Sequence, residues 1–290
     1  MATLVFKVAS SGGGGGGDIP SSITARDNLI HWWKMSEDPS GGSIPNNGLS
    51  ASSELSMSLP NGATQTSGGP TEIDSPSYLV FNGVDEYGQV TVVNSGTNTD
   101  TTVNDVLAGD NFSISFWVQI LQGSGFSPDD GVFVAANNAT FNDGVGLIYE
   151  STYHDRFNSF VGGKTNGGAN IFGGKASQAS SPNRSAISGS WAHVTQTYSS
   201  GSGEWKVYID GSLTTTRTLN HEYPTYNGRV SGSTNNHGSY MLFAAAQNTW
   251  PVNSALNVGH HLGLAMVDFR MYNITLDSTQ VSSIASGDWS

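Results

Sequence analysis

The stretch that decides the fold is residues 191–211, which read WAHVTQTYSSGSGEWKVYIDG. Two runs typical of β-strands flank the polar residues Ser199–Gly203, and the second run stops at Asp210-Gly211, a dipeptide typical of turns. Strand-forming runs on both sides of a short polar link predict a β-hairpin, and the Asp-Gly pair predicts a further turn directly after it. This segment is therefore expected to contribute consecutive antiparallel strands to a sheet.

A second stretch, NFSISFWVQI at residues 111–120, alternates apolar and polar side chains. On a strand, one face would carry Phe112, Ile114, Phe116, Val118 and Ile120. The other face would carry Ser113, Ser115, Trp117 and Gln119. The composition agrees, because 12% of the residues are charged, about half the usual share. A chain poor in charge but rich in Gly, Ser, Thr and Asn favours short strands and many turns over helices.

Charge and cysteine content exclude several classes of function. The net charge is −12 with only 11 Lys and Arg residues, which disfavours binding to nucleic acid or to an anionic membrane surface. The absence of cysteine excludes disulfides, thiolate metal sites and cysteine nucleophiles. The opening residues MATLVFKVAS lack the basic leader of a signal peptide, and no apolar run approaches the roughly 20 residues of a membrane span.

Five stretches of the chain carry a family resemblance. In addition to residues 191–211 and 111–120, they are NLIHWWKMSED from Asn28, SYLVFNGVDEYGQVTV at 77–92 and GLAMVDFRMYNITLDSTQVSSIASG at 263–287. In this order they resemble the laminin-G-like domains of the concanavalin A-like lectin/glucanase superfamily, over about residues 28–287. The resemblance implies an all-β fold, an antiparallel β-sandwich of jelly-roll type, with a closing strand and a short tail helix. We expect this β-sandwich domain to occupy residues 21–290.

Residues 1–20 are expected to form a separate N-terminal arm. Leu4, Val5 and Phe6 lie in a strand-like apolar peg, and Gly12–Gly17 predict a flexible tether. One interpretation is a frayed terminus or a cloning scar. The alternative is an anchoring strand that pairs with the sheet edge of a neighbouring subunit, which makes Leu4, Val5 and Phe6 candidate partner-binding residues.

The residues do not favour catalysis. Glucanases of this superfamily carry E-x-D-x-x-E on one strand, and no two of the seven glutamates here lie at i, i+2 or i, i+4. Asp85-Glu86 and Asp129-Asp130 are adjacent pairs, which diverge on a strand and are typical of turns. No G-x-S-x-G elbow supports a Ser-His-Asp triad. We expect no enzyme, with a glycosidase built from carboxylates distant in sequence as the remaining alternative.

No cofactor is predicted. His260-His261 would diverge on a strand, and no H-E-x-x-H spacing occurs, so a zinc site is disfavoured. The resemblance implies a possible structural calcium ion, because many relatives of this fold hold one. Its ligands would be Glu37, Asp38 and Asp268, which could meet if the first and last strands pair. Val267 stands where many members of the family have a further Asp, and calcium is therefore not predicted.

Three classes of function remain, and the sequence argues against the glycosidase named above, so two candidates are carried forward. The first is a virion structural or interaction protein (a phage capsid decoration, fibre or tail appendage) that contacts other virion proteins or forms a homo-oligomer. The second is an extracellular lectin module, whose glycan would stack on Tyr223, Tyr226 and Trp250 in the variable loops. The hairpin at residues 191–211 adds one open point: Gln196 falls between Val194 and Tyr198 on the face expected to point inward. Either that face is partly solvated, or the Gln196 amide has a buried partner.

Overall fold

The fold consists almost entirely of β-strands. A computed structural model describes residues 19–50, 55–91, 103–107, 110–121, 131–137, 144–150, 156–164, 170–171, 189–218, 240–247, 258–259 and 261–289. Its strands are β1 Leu29–Trp33, β2 Ser43–Ile44, β3 Met57–Ser58, β4 Thr64–Ser67, β5 Ser77–Asn82, β6 Gly88–Thr91, β7 Asn111–Ile120, β8 Gly131–Asn137, β9 Gly144–Glu150, β10 Arg156–Lys164, β11 Asn170–Ile171, β12 Ala192–Ser199, β13 Glu204–Ile209, β14 Ser212–Thr218, β15 Tyr240–Phe243, β16 Ala246–Gln247, β17 Val258–Gly259 and β18 Gly263–Tyr272. Within these ranges two α-helices accompany them, α1 Val103–Leu107 and α2 Ser278–Ala285, together with 3₁₀ helices at Arg26–Asn28 and Pro39–Gly41.

The strands form two large antiparallel sheets. Sheet A has eight strands in the order β14-β13-β12-β7-β18-β5-β4, with β1 pairing the second half of β18. Sheet B also has eight, in the order β11-β10-β9-β8-β15-β6-β3-β2, and β16-β17 form a small ribbon. Every large sheet is thus antiparallel, as the hairpin at residues 191–211 predicts.

The predicted hairpin is confirmed in its register. β12 pairs with β13 from Val194 opposite Ile209 to Ser199 opposite Glu204. At the turn that follows, Asp210 and Gly211 both have a positive φ, 49° and 74°. Asp and Gly tolerate this left-handed backbone best, and the turn leads directly into β14.

The inner faces of the sheets share one hydrophobic core. Phe112, Phe116 and their alternating partners on β7 meet Met57, Val90 and Phe243 of sheet B in a single buried cluster. The predicted alternation of residues 111–120 is confirmed, since the apolar set is the inward one. Gln196 is fully buried on the same inward side of β12, so the alternative that this position is solvated is wrong.

The outer face of sheet A, which points away from sheet B, is buried as well. Ser113 and Ser115 are fully buried there, and Trp117 is 3% exposed. A second apolar cluster covers this face and includes Ile19 and Ile23 from the start of the described chain and Val281 and Ile284 from α2. The polar half of the β7 pattern therefore lies beneath a covering layer instead of facing water.

The closing strand and tail helix are confirmed. α2 begins at an Asp277 N-cap with a capping box, in which Asp277 accepts from the Gln280 backbone and the Gln280 side chain accepts from the Asp277 backbone. This exchange satisfies two backbone donors that a helix start otherwise leaves unpaired. None of the helices in the described ranges is long and apolar enough to cross a membrane.

The free edges of the sheets differ in length. The loop residues Asn47 and Ser50 donate backbone hydrogen bonds to Trp32 and Ile30 and so cover the outer edge of β1. β2, β4 and β11 are edge strands of only two to four residues. β14, with seven residues, is the longest edge strand in the described part of the chain. Short or covered edges are the usual protection against unwanted strand pairing.

Candidate functional site

The residues predicted to contact partners lie outside the described part of the chain. This holds for Leu4, Val5 and Phe6 in the N-terminal arm and for the loop aromatics Tyr223, Tyr226 and Trp250. Their roles stay predictions, as does the division of the chain at residue 20. What the structure does describe is the place where the N-terminal arm joins the sandwich.

Both ends of the described chain meet on the outer face of sheet A. We call this place the terminal junction and define it by Ile19, Ile23, Thr24, α2, Asp288 and Trp289. Ile19 and Ile23 are buried in one apolar cluster with Val281 and Ile284 of α2. The Thr24 backbone N–H donates to Oδ2 of Asp288, and the Trp289 ring meets Trp32 edge-on at 6.0 Å. The first and last described segments therefore hold each other against the sheet.

A buried arginine connects this junction to the sheet. Arg270 on β18 is fully buried; it donates through Nη2 to the Asp288 backbone carbonyl and lies 3.5 Å from Asp288 Oδ1 through Nη1. Its Nε donates to Asp268 Oδ1 at 2.7 Å, and the Trp32 indole N–H donates to the same oxygen at 2.7 Å. The guanidinium also lies 5.1 Å from the centre of the Trp32 ring, within cation–π range.

The charge states of this pair follow from burial and proximity. Burial raises the pKa of the Asp268 carboxyl, and this exceeds the lowering effect of Arg270 and of the hydrogen bonds from Arg270 and Trp32. Burial alone would lower the pKa of the Arg270 guanidinium, but Asp268, Tyr272 and Asp288 together raise it. We assign an ionised pair, because an arginine cannot give up its proton in a protein and needs a buried counter-charge.

A buried histidine lies beside the arginine. His193 Nε2 lies 2.8 Å from Ser115 Oγ, and the Thr195 hydroxyl is 3.3 Å from the same oxygen. Burial, followed by the charge of Arg270, lowers the pKa of His193 to about 3, so the ring is neutral near pH 7. A neutral ring can accept the Ser115 proton at Nε2.

The Ser115–His193 pair does not form a catalytic triad. Asp210 accepts from the backbone N–H of His193 at 2.8 Å rather than from its ring. Ser115 and His193 are both fully buried on the covered outer face, so neither can reach a substrate in this conformation. The pair serves to satisfy polar groups beneath α2 and the chain ends.

The sequence does not single out Ser115, Arg270 or Asp288 as interacting residues. The only local signal is the D-x-R spacing of Asp268 and Arg270, which on a strand places both on one face. The contact of Arg270 with Asp288 joins residues in different elements and has no sequence signal.

The carboxylates considered for chemistry have structural partners. Asn82 Oδ1 accepts from the backbone N–H groups of Val84, Asp85 and Glu86, and Glu86 Oε2 accepts from the Asn82 backbone at 2.8 Å. The turn role expected for Asp85-Glu86 is confirmed. Asp129-Asp130 lie outside the described residues.

The strand pairing that the calcium site would need is present, but Asp268 and Glu37 each have a carboxylate oxygen in contact with another protein group. β1 and β18 do pair, with Trp33 opposite Phe269. However, Asp268 Oδ1 holds Arg270 and Trp32, and Glu37 Oε1 accepts from the Asn47 amide at 3.1 Å. No cluster of three or more His, Asp or Glu residues that could hold a metal ion occurs within the described ranges.

Comparison with known proteins agrees with this architecture. Residues 93–282 match a laminin-G family model described as the concanavalin A-like lectin/glucanases superfamily. A search of curated proteins gives no significant match. Among solved structures, the botulinum neurotoxin serotype D binding domain aligns with a TM-score of 0.54 and 14% identity, over 91% of this chain and 52% of that one.

Two further solved structures carry sialic acid derivatives. The serotype D ligand binding domain in complex with N-acetylneuraminic acid aligns with a TM-score of 0.54 and 13% identity, over 91% of this chain and 52% of that one. A Trypanosoma rangeli sialidase in complex with 2,3-difluorosialic acid gives 0.51 and 14%, over 91% and 35%. This chain spans about half the length of the toxin domains, and at such identities the likeness is one of fold alone.

The family assignment rests on the match to more than half of the chain, together with two antiparallel sheets packed on one core. This chain belongs to the concanavalin A-like lectin/glucanases superfamily.

Proposed function

We propose that this protein is a non-enzymatic structural or interaction protein of a virion, a capsid decoration, fibre or tail appendage built on a lectin-like sandwich. The observation that carries the proposal is the burial of Ile19 and Ile23 against α2, at 7% and 3% exposure. Leu4–Phe6 are apolar, a glycine run follows them, and Ile19 is packed on the body. This order suits a docking arm, in which the buried Ile19 connects the bound segment to the rigid body.

The non-enzymatic part of the proposal rests on how the titratable groups are used. The Asp268–Arg270 pair and the Ser115–His193 pair are buried on the covered outer face, where Arg270 also holds Asp288 near the chain end. Asp85 and Glu86 lie in a turn that Asn82 organises. Groups engaged in this way stabilise the body and leave binding to its edges, its loops and the arm.

Incorporation into particles tests the proposal. Particles of the virus that encodes the chain would be assembled with a variant lacking residues 1–17, and its copies per particle would be counted by quantitative mass spectrometry. We expect incorporation to be lost while the urea unfolding midpoint of the purified variant stays unchanged, because Ile19 and Ile23 are retained. The triple variant Leu4→Ser, Val5→Ser, Phe6→Ser should behave in the same way.

Val84→Ser is the matched control, because it also removes an apolar side chain, 66% exposed, but from a turn of the body. It should be incorporated normally. If the arm variants are incorporated as well as the parent protein, the docking role of residues 1–17 is wrong.

A lectin module is the second candidate, with an extracellular setting as the alternative to a virion. One observation favours it: a solved structure of the same fold is a toxin ligand binding domain in complex with N-acetylneuraminic acid. A glycan array that includes sialylated glycans tests this candidate directly. A micromolar hit that Trp250→Ala or Tyr223→Ala with Tyr226→Ala abolishes would favour it, and an array without any hit would exclude it.

A further inference from the structure

Among the described strands, β14 is the longest that has no partner on its outer edge. Its seven residues, SLTTTRT, contain no proline, and no described strand pairs with it on the side away from β13. A bulge at Thr214 interrupts the pairing with β13, while Thr215–Thr218 continue in regular register opposite Glu204–Val207. A strand of this kind presents a row of unpaired backbone N–H and C=O groups, which is a template for an added strand.

The N-terminal arm leaves the body close to this edge. Ile19 belongs to the same buried cluster as Tyr208 and α2, and Tyr208 is opposite Leu213 of β14. The turn before β14 touches α2 too, since a Cβ at Gly211 would lie 3.2 Å from the Ser282 Cα. The exposed Leu213 and the origin of the arm are therefore both beside α2.

We propose that the β14 edge binds residues Leu4–Val8 of a second copy of this chain as an added strand. The inference rests on the proposed function and names the partner of the arm. On a strand, Leu4, Phe6 and Val8 share one face, and that face can extend the apolar surface that begins at the exposed Leu213. Backbone pairing supplies the affinity, and the apolar face fixes the register.

The connecting residues favour a second copy over the arm's own body. Residues 9–18 reach up to about 35 Å when extended, whereas strands that pair within one body are usually joined by about 2–6 residues. A long link with six glycines would add ordering entropy to an internal pairing, but it suits a gap between two molecules. Lys7 is the only charged side chain in residues 1–17, and all acidic side chains except Asp18 lie in the body that the arm would approach.

Cross-linking between two single-cysteine variants tests the pairing, because the chain has no cysteine of its own. Full-length Phe6→Cys carrying an affinity tag would be mixed with untagged Thr216→Cys, and a short bismaleimide would be added. We expect a mixed dimer about tenfold more abundant than with Thr64→Cys, which places the thiol on the β4 edge instead. The double variant Phe6→Cys, Thr216→Cys should give mainly cross-linked dimers and larger species.

Three results would overturn the inference. They are a yield of mixed dimer no higher than with Thr64→Cys, cross-links of the double variant within single chains, or a full-length protein that sediments as a monomer at all concentrations.

Thr216→Lys provides a second measurement, since a lysine on the β14 edge should shift the sedimenting species towards monomer. Normal particle incorporation of a parent protein that forms no dimers in solution would leave the proposed function intact and remove only this inference. Dimers in solution without incorporation into particles would do the reverse.

Discussion

Arg270 and Asp268 form a buried ion pair within a single strand, with Nε 2.7 Å from Oδ1. Alternate residues of a strand lie about 6.6 Å apart on one face, a span that the long Arg270 side chain can bridge. Here the pairing of β18 with β7 shifts register between Val267 and Arg270, and Asp268 has a φ of 61°. The bulge turns the Asp268 carboxylate towards the arginine and towards Trp32 of β1. One local irregularity thus links the first strand, the last strand and the end of the chain.

The first prediction concerns this ion pair. Arg270→Leu should lower the free energy of unfolding by about 3–5 kcal/mol, because it leaves the Asp268 carboxylate buried without its counter-charge. Arg270→Lys should restore only part of the loss, since an ammonium group cannot contact Asp268 and Asp288 through separate planar donors. Urea unfolding measures both variants. Arg26→Ala is the control: its pair with Asp27 is exposed, and it should change stability by less than about 0.5 kcal/mol.

The second prediction is a pH dependence caused by His193. Burial keeps the pKa of His193 near 3 in the folded chain, against an ordinary value of 6.5. Between these values the unfolded chain binds more protons than the folded chain. The stabilising contribution of neutral His193 is therefore complete above about pH 6.5 and is lost as the pH falls towards 3, with a slope of up to about 1.4 kcal/mol per pH unit.

His193→Gln should remove this slope, and urea unfolding from pH 4 to pH 7 would show the difference from the parent protein. Ser115→Ala is the matched control, because it removes the hydroxyl that contacts the ring but keeps the imidazole. It should lower stability at all pH values and retain the slope. Equal slopes for the parent protein and His193→Gln would show that the ring is protonated inside the fold.

The third prediction concerns the loop that covers the edge of β1. A Cβ at Gly48 would lie 2.3 Å from the Ile30 carbonyl oxygen, so Gly48→Ala must push the loop away from the strand. We expect a loss of about 2–3 kcal/mol, measured by thermal or urea unfolding, together with faster hydrogen exchange of the β1 amides. Gly41→Ala is the control, since a Cβ there has no atom within 4 Å. Similar losses for both variants would mean that the close approach at Gly48 is not what matters.

The fourth prediction concerns the chain end at the terminal junction. Trp289→Ala should cost about 1–2 kcal/mol, because the ring packs against Trp32 and against two apolar clusters on the outer face of sheet A. Loss of this cover should also expose the Trp32 indole to collisional fluorescence quenchers. Leu213→Ala, on an exposed side chain, should alter neither stability nor quenching. A Trp289→Ala protein as stable as the parent would show that the chain end is not part of the folded body.

Several individual strands were predictable because their signals are local. The alternation in residues 111–120 defines both faces of β7, and the turn residues around 200 and 210 delimit β12, β13 and β14. The D-S-T-Q sequence before the final helix carries its own capping signal. The burial of Ser113 and Ser115 was not predictable, because alternation distinguishes two faces but does not say whether a second layer covers the polar one.

The candidate site was less predictable than the fold. The sequence indicates which apolar residues precede the body and which aromatics lie in loops, and these assignments to Leu4–Phe6, Tyr223, Tyr226 and Trp250 stay predictions. It gives no indication that β14 is an end strand of sheet A among the described strands. Edge position depends on which strands pair across the whole chain, and pairing between strands separated by more than 70 residues has no local signature.

By itself, the sequence determined the hairpin at residues 191–211 and the two faces of the strand at 111–120, since periodicity and turn chemistry act over a few residues. The antiparallel sandwich and its tail helix followed from the family resemblance of five stretches. Only the tertiary structure decided that Gln196 and His193 are buried, that Asp268 pairs with Arg270 instead of joining a metal site, and that both chain ends meet beneath α2. These outcomes depend on the cost of leaving polar groups unpaired away from water. The cost depends on whether other residues bury the polar group, and those residues come from distant parts of the chain.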